Sequence, residues 1–363
     1  MRLHDVTLRK VSLPLIRPYV LSYRTFHEFE PIVVEVRDHD GRVGWGEGHI
    51  SPGSSSETRE GGWAFCCEHA AKIAGIDSAD AKAIVSAHLG DSKVAATAIL
   101  TAIEMLEGHP LLKIEQDARL PMLTPFNSST LKEIEDEVER RLEEGFGTFK
   151  IKVGKDASAD LTRVKTIQRV INGRATMRLD ANRAFSEADG KRFAAGLDPS
   201  GIELFEQPCH ADDWAANANV AEVSTVPLML DEPICSIADI ERAAEIPNIE
   251  YCKLKLKRFG SLDALKHALE LVRALDMEPV LGDGTSCEIQ CWMEGCVARS
   301  TISNAGEFNG FLKPRDRLFA NPLQFKAGAL VLPKDYMPTM DLKSLAAHEI
   351  ACERFAAVAA TVA

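Results

Sequence analysis

Acidic side chains recur at a regular interval in the middle of this 363-residue chain. Asp180, Glu206 and Asp231 are separated by 26 and 25 residues, and each follows a short apolar run. That interval suits one strand, one helix and two loops, so it predicts a βα repeat with a carboxylate at the end of each strand. Three converging carboxylates repel one another unless a cation joins them. A ligand set without His or Cys favours a hard ion, and we expect Mg²⁺.

Lysines stand on both sides of these acids along the chain. Lys150 and Lys152 are two residues apart on a predicted strand, so both side chains point to one face. Lys253, Lys255 and Lys257 repeat that spacing further on. Buried lysines are rare, and a lysine near a divalent cation and other ammonium groups has a lowered pKa. Paired lysines on opposite walls could therefore act on one substrate carbon, although Lys253 and Lys257 could equally be charges at the rim.

The apolar runs alternate with helical patterns beyond Pro121. Thr130-Leu-Lys-Glu133 fits a capping box, and the helix that it begins ends at Gly145. The unit repeats until eight strands are counted, with 122–125 as the first and 305–308 as the last. Eight strands alternating with helices predict an α/β fold of the TIM (β/α) barrel type. Active sites in such barrels lie at the C-terminal ends of the strands, where the three carboxylates are expected.

The first 115 residues follow a different pattern. A strand is predicted at Val6–Leu15, and the Asp-Gly pair ending at Gly41 predicts a hairpin. Helical periodicity follows from Trp63 to Gly108. We interpret this part as a small N-terminal α+β capping domain.

Two stretches of the capping domain, 16–29 and 49–57, are rich in polar residues and predict loops that could act as lids. Tyr23, in the first of them, is a candidate substrate contact. The Ala-rich residues 336–363 are expected to include a helix and to pack back on the capping domain. The predicted divisions of the chain are therefore 1–115, 116–335 and 336–363.

The composition is that of an ordinary globular protein, with 45% hydrophobic and 26% charged residues. A formal charge of −12 argues against nucleic-acid and membrane partners, because those surfaces require clustered Lys and Arg. No stretch approaches the roughly 18 apolar residues of a membrane span, and Met1–Asp5 does not begin a signal peptide. Nine Cys without a C-x-x-C spacing predict reduced thiols. We expect a cytoplasmic protein that forms a homo-oligomer.

Taken together, the motifs resemble those of a known family. They are similar to the signature of the enolase superfamily, in its mandelate racemase and muconate lactonizing enzyme branch, and the likeness spans nearly the whole chain. The motifs that carry it are Gly44-Trp-Gly-Glu47, Lys150-Ile-Lys152, Asp180-Ala-Asn182, Glu206-Gln-Pro208, Asp231-Glu232 and Lys255-Leu-Lys-Arg-Phe-Gly260.

The resemblance implies a modified TIM barrel whose capping domain closes two loops over the site. It implies that Asp180, Glu206 and Asp231 bind Mg²⁺, which in turn holds the carboxylate of a small-molecule substrate. The shared step would be abstraction of the proton α to that carboxylate, giving an enediolate that the metal stabilises.

The resemblance also implies roles for the lysines. Lys152 and Lys255 would be the two catalytic lysines of the muconate-lactonizing-like subgroup, acting from opposite faces of the substrate. Lys150 and Asn182, in the same motifs, are expected to contact the substrate.

The chain departs from the family pattern at three places. The family's Gly-Gly after the second lysine motif is Gly260-Ser261 here. Asp283 is an extra acid, and Glu307-Phe-Asn-Gly310 replaces the Asp-x-Asp of relatives that act on dipeptides, which disfavours dipeptide epimerisation. Asp283 and Glu307 could receive a cationic substrate group or could be structural acids.

We therefore predict a Mg²⁺-dependent racemase or epimerase acting on an amino acid or a proline derivative. Two lysines would also permit a dehydratase of a β-hydroxy acid such as a hydroxyproline, or a cycloisomerase. A catalytically silent binding protein is the alternative from a different class, and it predicts the loss of a ligand or a lysine that this chain retains.

Overall fold

An antiparallel sheet begins the capping part of the fold, and the computed structural model describes residues 1–21 and 24–357 of the chain. Tyr23 lies outside the described residues. The first strands are β1 (Leu3–Val11), β2 (Leu13–Val20), β3 (Thr25–Phe29), β4 (Ile32–Asp38) and β5 (Val43–Gly48). β4 and β5 form the predicted hairpin, in which Gly41 has a φ of +82°. Glycine adopts such a positive φ readily, which is why the turn needs a glycine at this position.

The first lid segment differs from the prediction. The single strand expected at Val6–Leu15 is divided into β1 and β2, and β2 pairs antiparallel with β3. The stretch 16–29 is therefore largely a two-stranded hairpin and not a loop. Tyr19 pairs with Phe26 across it, so aromatic residues that looked irregular in the sequence belong to one ribbon.

Three helices cover this sheet. They are α1 (Arg59–Ile73), α2 (Ser78–Ser86) and α3 (Lys93–Glu107). α3 lies very close to β5, because a Cβ added at Gly46 would stand 1.9 Å from the backbone oxygen of Ala98. The glycines of the Gly44-Trp-Gly-Glu47 motif thus allow the helix to touch the strand backbone.

The barrel follows as a curled parallel sheet. After β6 (Ala118–Pro121), its strands are β7 (Thr124–Phe126), β8 (Thr148–Lys152), β9 (Thr176–Asp180), β10 (Ile202–Glu206), β11 (Leu228–Leu230), β12 (Ile249–Leu254) and β13 (Glu278–Leu281). Each strand pairs with the next one in the chain. The helices that follow these strands are α4 (Leu131–Glu143), α5 (Ala157–Ile171), α6 (Glu187–Ala195), α7 (Trp214–Val223), α8 (Ile237–Ala244), α9 (Leu256–Phe259), α10 (Leu262–Ala274) and α11 (Glu288–Thr301).

Residues 305–308 close the ring without forming a regular strand. Leu123 N donates to Gly306 O at 3.0 Å, and Glu307 N donates to Leu281 O at 2.9 Å. The segment therefore bridges β13 to the residue before β7. The predicted count of eight regular strands was wrong by one, whereas the prediction of a modified barrel with a capping domain is confirmed.

The C-terminal part returns to the first sheet. β15 (Ala329–Leu332) pairs with β14 (Gln324–Lys326) on one side and with β6 on the other, and α12 (Leu342–His348) leads into β16 (Glu349–Ala356). β16 pairs antiparallel with β1, so the sheet order is β16-β1-β4-β5. The stretch 336–363 thus includes a helix, as expected, but its residues 349–356 form a strand that was not predicted.

Glu47 attaches the capping sheet to the barrel. Its buried carboxylate accepts hydrogen bonds from the backbone N–H groups of Cys287, at 2.5 Å, and Ile289, at 3.0 Å, at the start of α11. A helix N-terminus is a favourable place for a carboxylate. Burial nevertheless dominates and raises the pKa of Glu47 to about 7.

Among the described residues, no helix is both long and apolar enough to cross a membrane.

Candidate active site

The three predicted metal ligands lie side by side at one end of the barrel. Asp180 and Glu206 are the last residues of β9 and β10 and are paired in register, and Asp231 directly follows β11. Their exposed fractions are 0%, 0% and 3%. The carboxyl ends of parallel strands meet at one end of the barrel, so the three acids, each one βα period from the next in the sequence, come together there.

Lys150 lies among these carboxylates. Its Nζ is 2.9 Å from Asp180 Oδ2, 2.8 Å from Glu206 Oε2 and 2.8 Å from Glu307 Oε2. Burial alone would lower the pKa of Lys150, but Asp180, Glu206 and Glu307 outweigh it and raise that pKa well above its ordinary value. Lys150 is thus a fixed positive charge that connects three strand ends.

Lys152 approaches Asp180 from the neighbouring strand. Its Nζ donates to Asp180 Oδ2 at 2.5 Å and to Asn182 Oδ1 at 2.6 Å. Asn182 has a left-handed φ of +43°, and its backbone N–H donates to Asp180 Oδ1 at 2.8 Å. The predicted Lys152, Asp180 and Asn182 therefore form one hydrogen-bonded unit, with the lysine partly exposed to the cavity.

Lys255 stands on the other side of the ligand set. Its Nζ is 2.9 Å from Asp231 Oδ1, and Arg258 Nη1 is 3.0 Å from the same oxygen. Burial raises the pKa of Asp231, but Lys255 and Arg258 outweigh it and hold that pKa well below its ordinary value.

The sequence predicts lowered lysine pKa values beside a divalent cation, whereas the protein groups by themselves have the opposite net effect on Lys255. Burial and Arg258 lower the pKa of Lys255, but Asp231, Asp283 and Glu232 raise it by more, so the net pKa lies above the ordinary value. The reason is that Asp231 contacts this ammonium directly, and a carboxylate at that distance stabilises the charged form.

Lys253 and Lys257 are not rim charges, which corrects one alternative left open by the sequence. Their exposed fractions are 1% and 7%. The alternation assumed for them also ends early, because β12 stops at Leu254 and Lys257 lies in the short helix α9. The two lysines consequently serve different partners.

Those partners are the two acids without an assigned role. Lys257 forms an ion pair with Asp283, and Lys253 forms one with Glu307, which also contacts Lys150. Burial raises the pKa of both acids, but the lysines outweigh it and hold each pKa below its ordinary value. Both carboxylates are therefore charged and already neutralised by lysines of the protein.

These groups surround a cavity of about 480 Å³ between the barrel and the capping part. Both predicted lid segments contribute to it, with Tyr19 and Leu21 from the first and Ser51 and 53–57 from the second. Within the described ranges, seven acidic and seven basic side chains line it: Glu57, Asp180, Asp212, Asp231, Glu232, Asp283, Glu307, Lys93, Lys150, Lys152, Arg183, Lys255, Lys257 and Arg258.

Three of these residues were missed by the sequence analysis. Arg258 donates to Asp231 O at 2.5 Å, in addition to its contact with the carboxylate, and it could have been found because it lies in the Lys255–Gly260 motif. Glu232 is buried, and burial with Asp231 raises its pKa to about 7. Arg183 donates to Gly53 O at 3.0 Å and so joins the barrel to the second lid, a contact without a local sequence signal.

The donor set of the three carboxylates fits a hard divalent cation in chemistry and burial. Glu206 Oε2 and Asp231 Oδ1 are buried and accept no hydrogen bond of normal geometry, although ammonium nitrogens lie within 2.9 Å of them. In the described part of the chain, no group of three or more His, Cys, Asp or Glu side chains stands in a coordinating arrangement. The fit therefore rests on the all-oxygen donors and on the burial of these carboxylates.

Comparisons with known proteins agree with this architecture. The muconate cycloisomerase 1-1 of Acinetobacter lwoffii is 30% identical over 348 residues, which are 90% of this chain and 87% of that protein. The L-Ala-D/L-Glu epimerase of Bacillus subtilis is 26% identical over 298 residues, covering 78% and 81%. The crystal structure of a dipeptide epimerase from Cytophaga hutchinsonii, complexed with Mg and the dipeptide D-Ala-L-Val, matches with a TM-score of 0.88 at 18% identity, covering 98% and 100%.

A family model for enolase C-terminal domain-like proteins matches residues 133–336, which contain all the barrel residues discussed above except part of the first βα unit. This match and the 30% identical relative confirm the resemblance seen in the motifs. The chain is therefore an enzyme of the enolase C-terminal domain-like family, in the mandelate racemase and muconate lactonizing enzyme branch of the enolase superfamily.

Proposed function

We propose that this enzyme racemises or epimerises an amino-acid derivative by moving the proton α to its carboxylate. The observation that carries the proposal is the placement of Lys152 and Lys255. Both line one cavity, and each is held by a different carboxylate of the ligand set, Asp180 and Asp231. Lysines held at separate carboxylates suit a reaction in which one removes a proton and the other supplies one.

The charge balance of the cavity supports an anionic substrate. Its seven acidic and seven basic side chains offset one another in formal charge. A divalent cation at Asp180, Glu206 and Asp231 would leave an excess of positive charge in the cavity. A substrate carboxylate would offset that excess, because opposite charges attract one another.

The ion pairs of Asp283 and Glu307 bear on the charge of the substrate nitrogen. Since both acids are matched by internal lysines, neither offers a free negative charge to a substrate ammonium. We therefore infer that the substrate nitrogen is uncharged, as in an N-acylated amino acid or an amide.

In the proposed reaction, Lys152 removes the α-proton from one face and the ammonium of Lys255 returns a proton to the opposite face. The two lysines exchange roles for the other enantiomer. Asn182 and Asp180 orient Lys152 through the bonds described above, and Arg258 orients Asp231. Bound Mg²⁺ would supply the positive charge that lets so weak a carbon acid ionise.

Solvent-deuterium exchange tests this proposal. Free amino acids, N-acylated amino acids, dipeptides and proline derivatives are incubated with the enzyme and Mg²⁺ in D₂O and followed by ¹H NMR. Loss of the α-proton signal together with inversion at Cα is expected for an N-blocked acid. Loss of water from a β-hydroxy acid would favour a dehydratase instead. Absence of exchange in every acid would refute the proton transfer itself.

A further inference from the structure

A second hollow lies on the capping part of the protein, away from the strand ends. It has a volume of about 490 Å³ and is bounded by α1 and the turn that joins α2 to α3. His69 and His88 line it together with the acids Glu57, Glu68 and Asp91. None of the proposed chemistry uses the two histidines.

His69 has an unsatisfied ring nitrogen inside the protein. Its exposed fraction is 2%, and its Nδ1 is 2.9 Å from the backbone oxygen of Phe65. A carbonyl oxygen only accepts, so the proton is assigned to Nδ1 and the lone pair to Nε2. Nε2 is buried and has no hydrogen-bond partner among the residues that the structure describes. A buried acceptor without a partner is unfavourable, and such groups are rare enough to require an explanation.

His88 presents the same tautomer on the other side of the hollow. Its Nδ1 is 2.9 Å from Asp91 Oδ2, and since the carboxylate accepts, the neutral imidazole carries its lone pair on Nε2. Metal-binding histidines typically donate their second ring N–H to a backbone carbonyl or a carboxylate, which are the two partners found here.

The separation of the rings also suits a shared ion. The ring centres of His69 and His88 are 5.1 Å apart, with the planes inclined by 60°. Two imidazoles on one tetrahedral ion, with a metal–nitrogen bond of about 2.1 Å, have ring centres about 5 Å apart.

We propose that Nε2 of His69 and Nε2 of His88 bind one divalent transition-metal ion of the Zn²⁺ type. Imidazole favours such ions over Mg²⁺, so this site is separate in chemistry from the all-oxygen carboxylate set. Among the described residues no third His, Cys, Asp or Glu is in coordinating position. The ion would therefore keep solvent in its remaining positions, and its affinity would be modest.

Titration of the ¹⁵N-histidine-labelled protein with Zn²⁺ tests the site directly. Mg²⁺ is kept in large excess to occupy oxygen ligands, and ring ¹⁵N signals are followed by ¹H–¹⁵N correlation. The Nε2 signals of His69 and His88 are expected to shift together and to saturate at one Zn²⁺ per chain. Independent shifts of the two rings, or a response confined to other histidines, would overturn the proposal.

Substitutions separate binding from folding. His88 is 46% exposed, so His88→Ala is expected to keep the melting temperature, to weaken Zn²⁺ binding at least tenfold and to abolish the response of His69. Asp91→Asn, which removes only the orienting carboxylate, is expected to weaken binding by about tenfold, as for other outer partners of metal-bound histidines. His267→Ala, at an exposed helix position, is the matched control and should bind normally. Unchanged binding in His88→Ala would refute the site.

Discussion

Replacing Lys152 and Lys255 separately by Ala is the most direct test of the two-base reaction, because in each variant the neighbouring carboxylate keeps another positively charged partner. In Lys152→Ala, Asp180 keeps the ammonium of Lys150 at 2.9 Å. In Lys255→Ala, Asp231 keeps the guanidinium of Arg258 at 3.0 Å. Neither variant leaves a buried carboxylate alone, so both proteins are expected to fold and to retain the acidic ligands.

The size of the effect follows from the role of a positioned base. Such a group contributes about 10²- to 10⁴-fold, which corresponds to about 3–5 kcal/mol of barrier. Racemisation needs both lysines, so each variant is expected to lose at least that factor in kcat in both directions. Exchange of the α-proton needs only one, so each variant should still exchange the enantiomer whose α-proton faces the remaining lysine.

The assay is ¹H NMR in D₂O with each pure enantiomer of an active substrate. Lys152→Ala and Lys255→Ala should retain exchange with opposite enantiomers. Lys155→Ala, at an exposed position three residues beyond Lys152, is the matched control and should behave as the unmodified enzyme. If both variants retained exchange with the same enantiomer, or if racemisation fell less than tenfold in either, the two-base reasoning would be wrong.

The remaining predictions concern ions, pH and packing. Mg²⁺ should raise the melting temperature of the unmodified protein, because a ligand that binds the folded state stabilises it. The variant Asp231→Asn should lose most of that increase. An equal increase in the variant and in the unmodified protein would refute the predicted metal ligands. Burial raises the pKa of Glu47, Glu104 and Glu294 from 4.5 to about 7. The folded state thus binds protons that the unfolded chain has released, and the free energy of unfolding should fall as the pH rises from about 4.5 to about 7, by up to about 3 kcal/mol per group. Urea unfolding at several pH values measures this free energy. The variant Glu104→Gln should show a smaller decrease across the same pH range. A rise in the free energy of unfolding from about pH 4.5 to about pH 7 would contradict the prediction. Gly46→Ala should lower the free energy of unfolding by about 1–3 kcal/mol, because the added Cβ would meet the backbone of α3. Gly90→Ala is the control, since the space around Gly90 is open, and it should not lower that free energy. Equal effects of the two substitutions would contradict the packing argument.

Local signals in the sequence were sufficient for the barrel. Thr130 and Glu133 form the predicted capping box, because both partners of that motif lie within one turn of the chain. The carboxylates Asp180 and Glu206 end β9 and β10 as their spacing indicated, since the βα period and the strand direction are properties of short segments.

Features that depend on distant residues were not predictable in the same way. Part of the C-terminal stretch forms the helix α12, as its Ala content suggests, but Glu349–Ala356 pairs with β1, and that pairing makes it a strand. The partners of Lys257 and Lys253 are far away in the sequence, so their ion pairs with Asp283 and Glu307 required the three-dimensional structure. The hairpin of β2 and β3 was missed because its aromatic pairs form only across the turn.

The pairing of β16 with β1 has a consequence for how the protein is made. During synthesis, β1, β4 and β5 leave the ribosome first, but their fourth partner, Glu349–Ala356, follows only after the whole barrel. Although domains often fold as they emerge, this sheet must wait with one edge unpaired, and an open edge invites association with other chains. A nascent chain stalled before residue 349 would therefore be expected to be more prone to aggregation than the released protein.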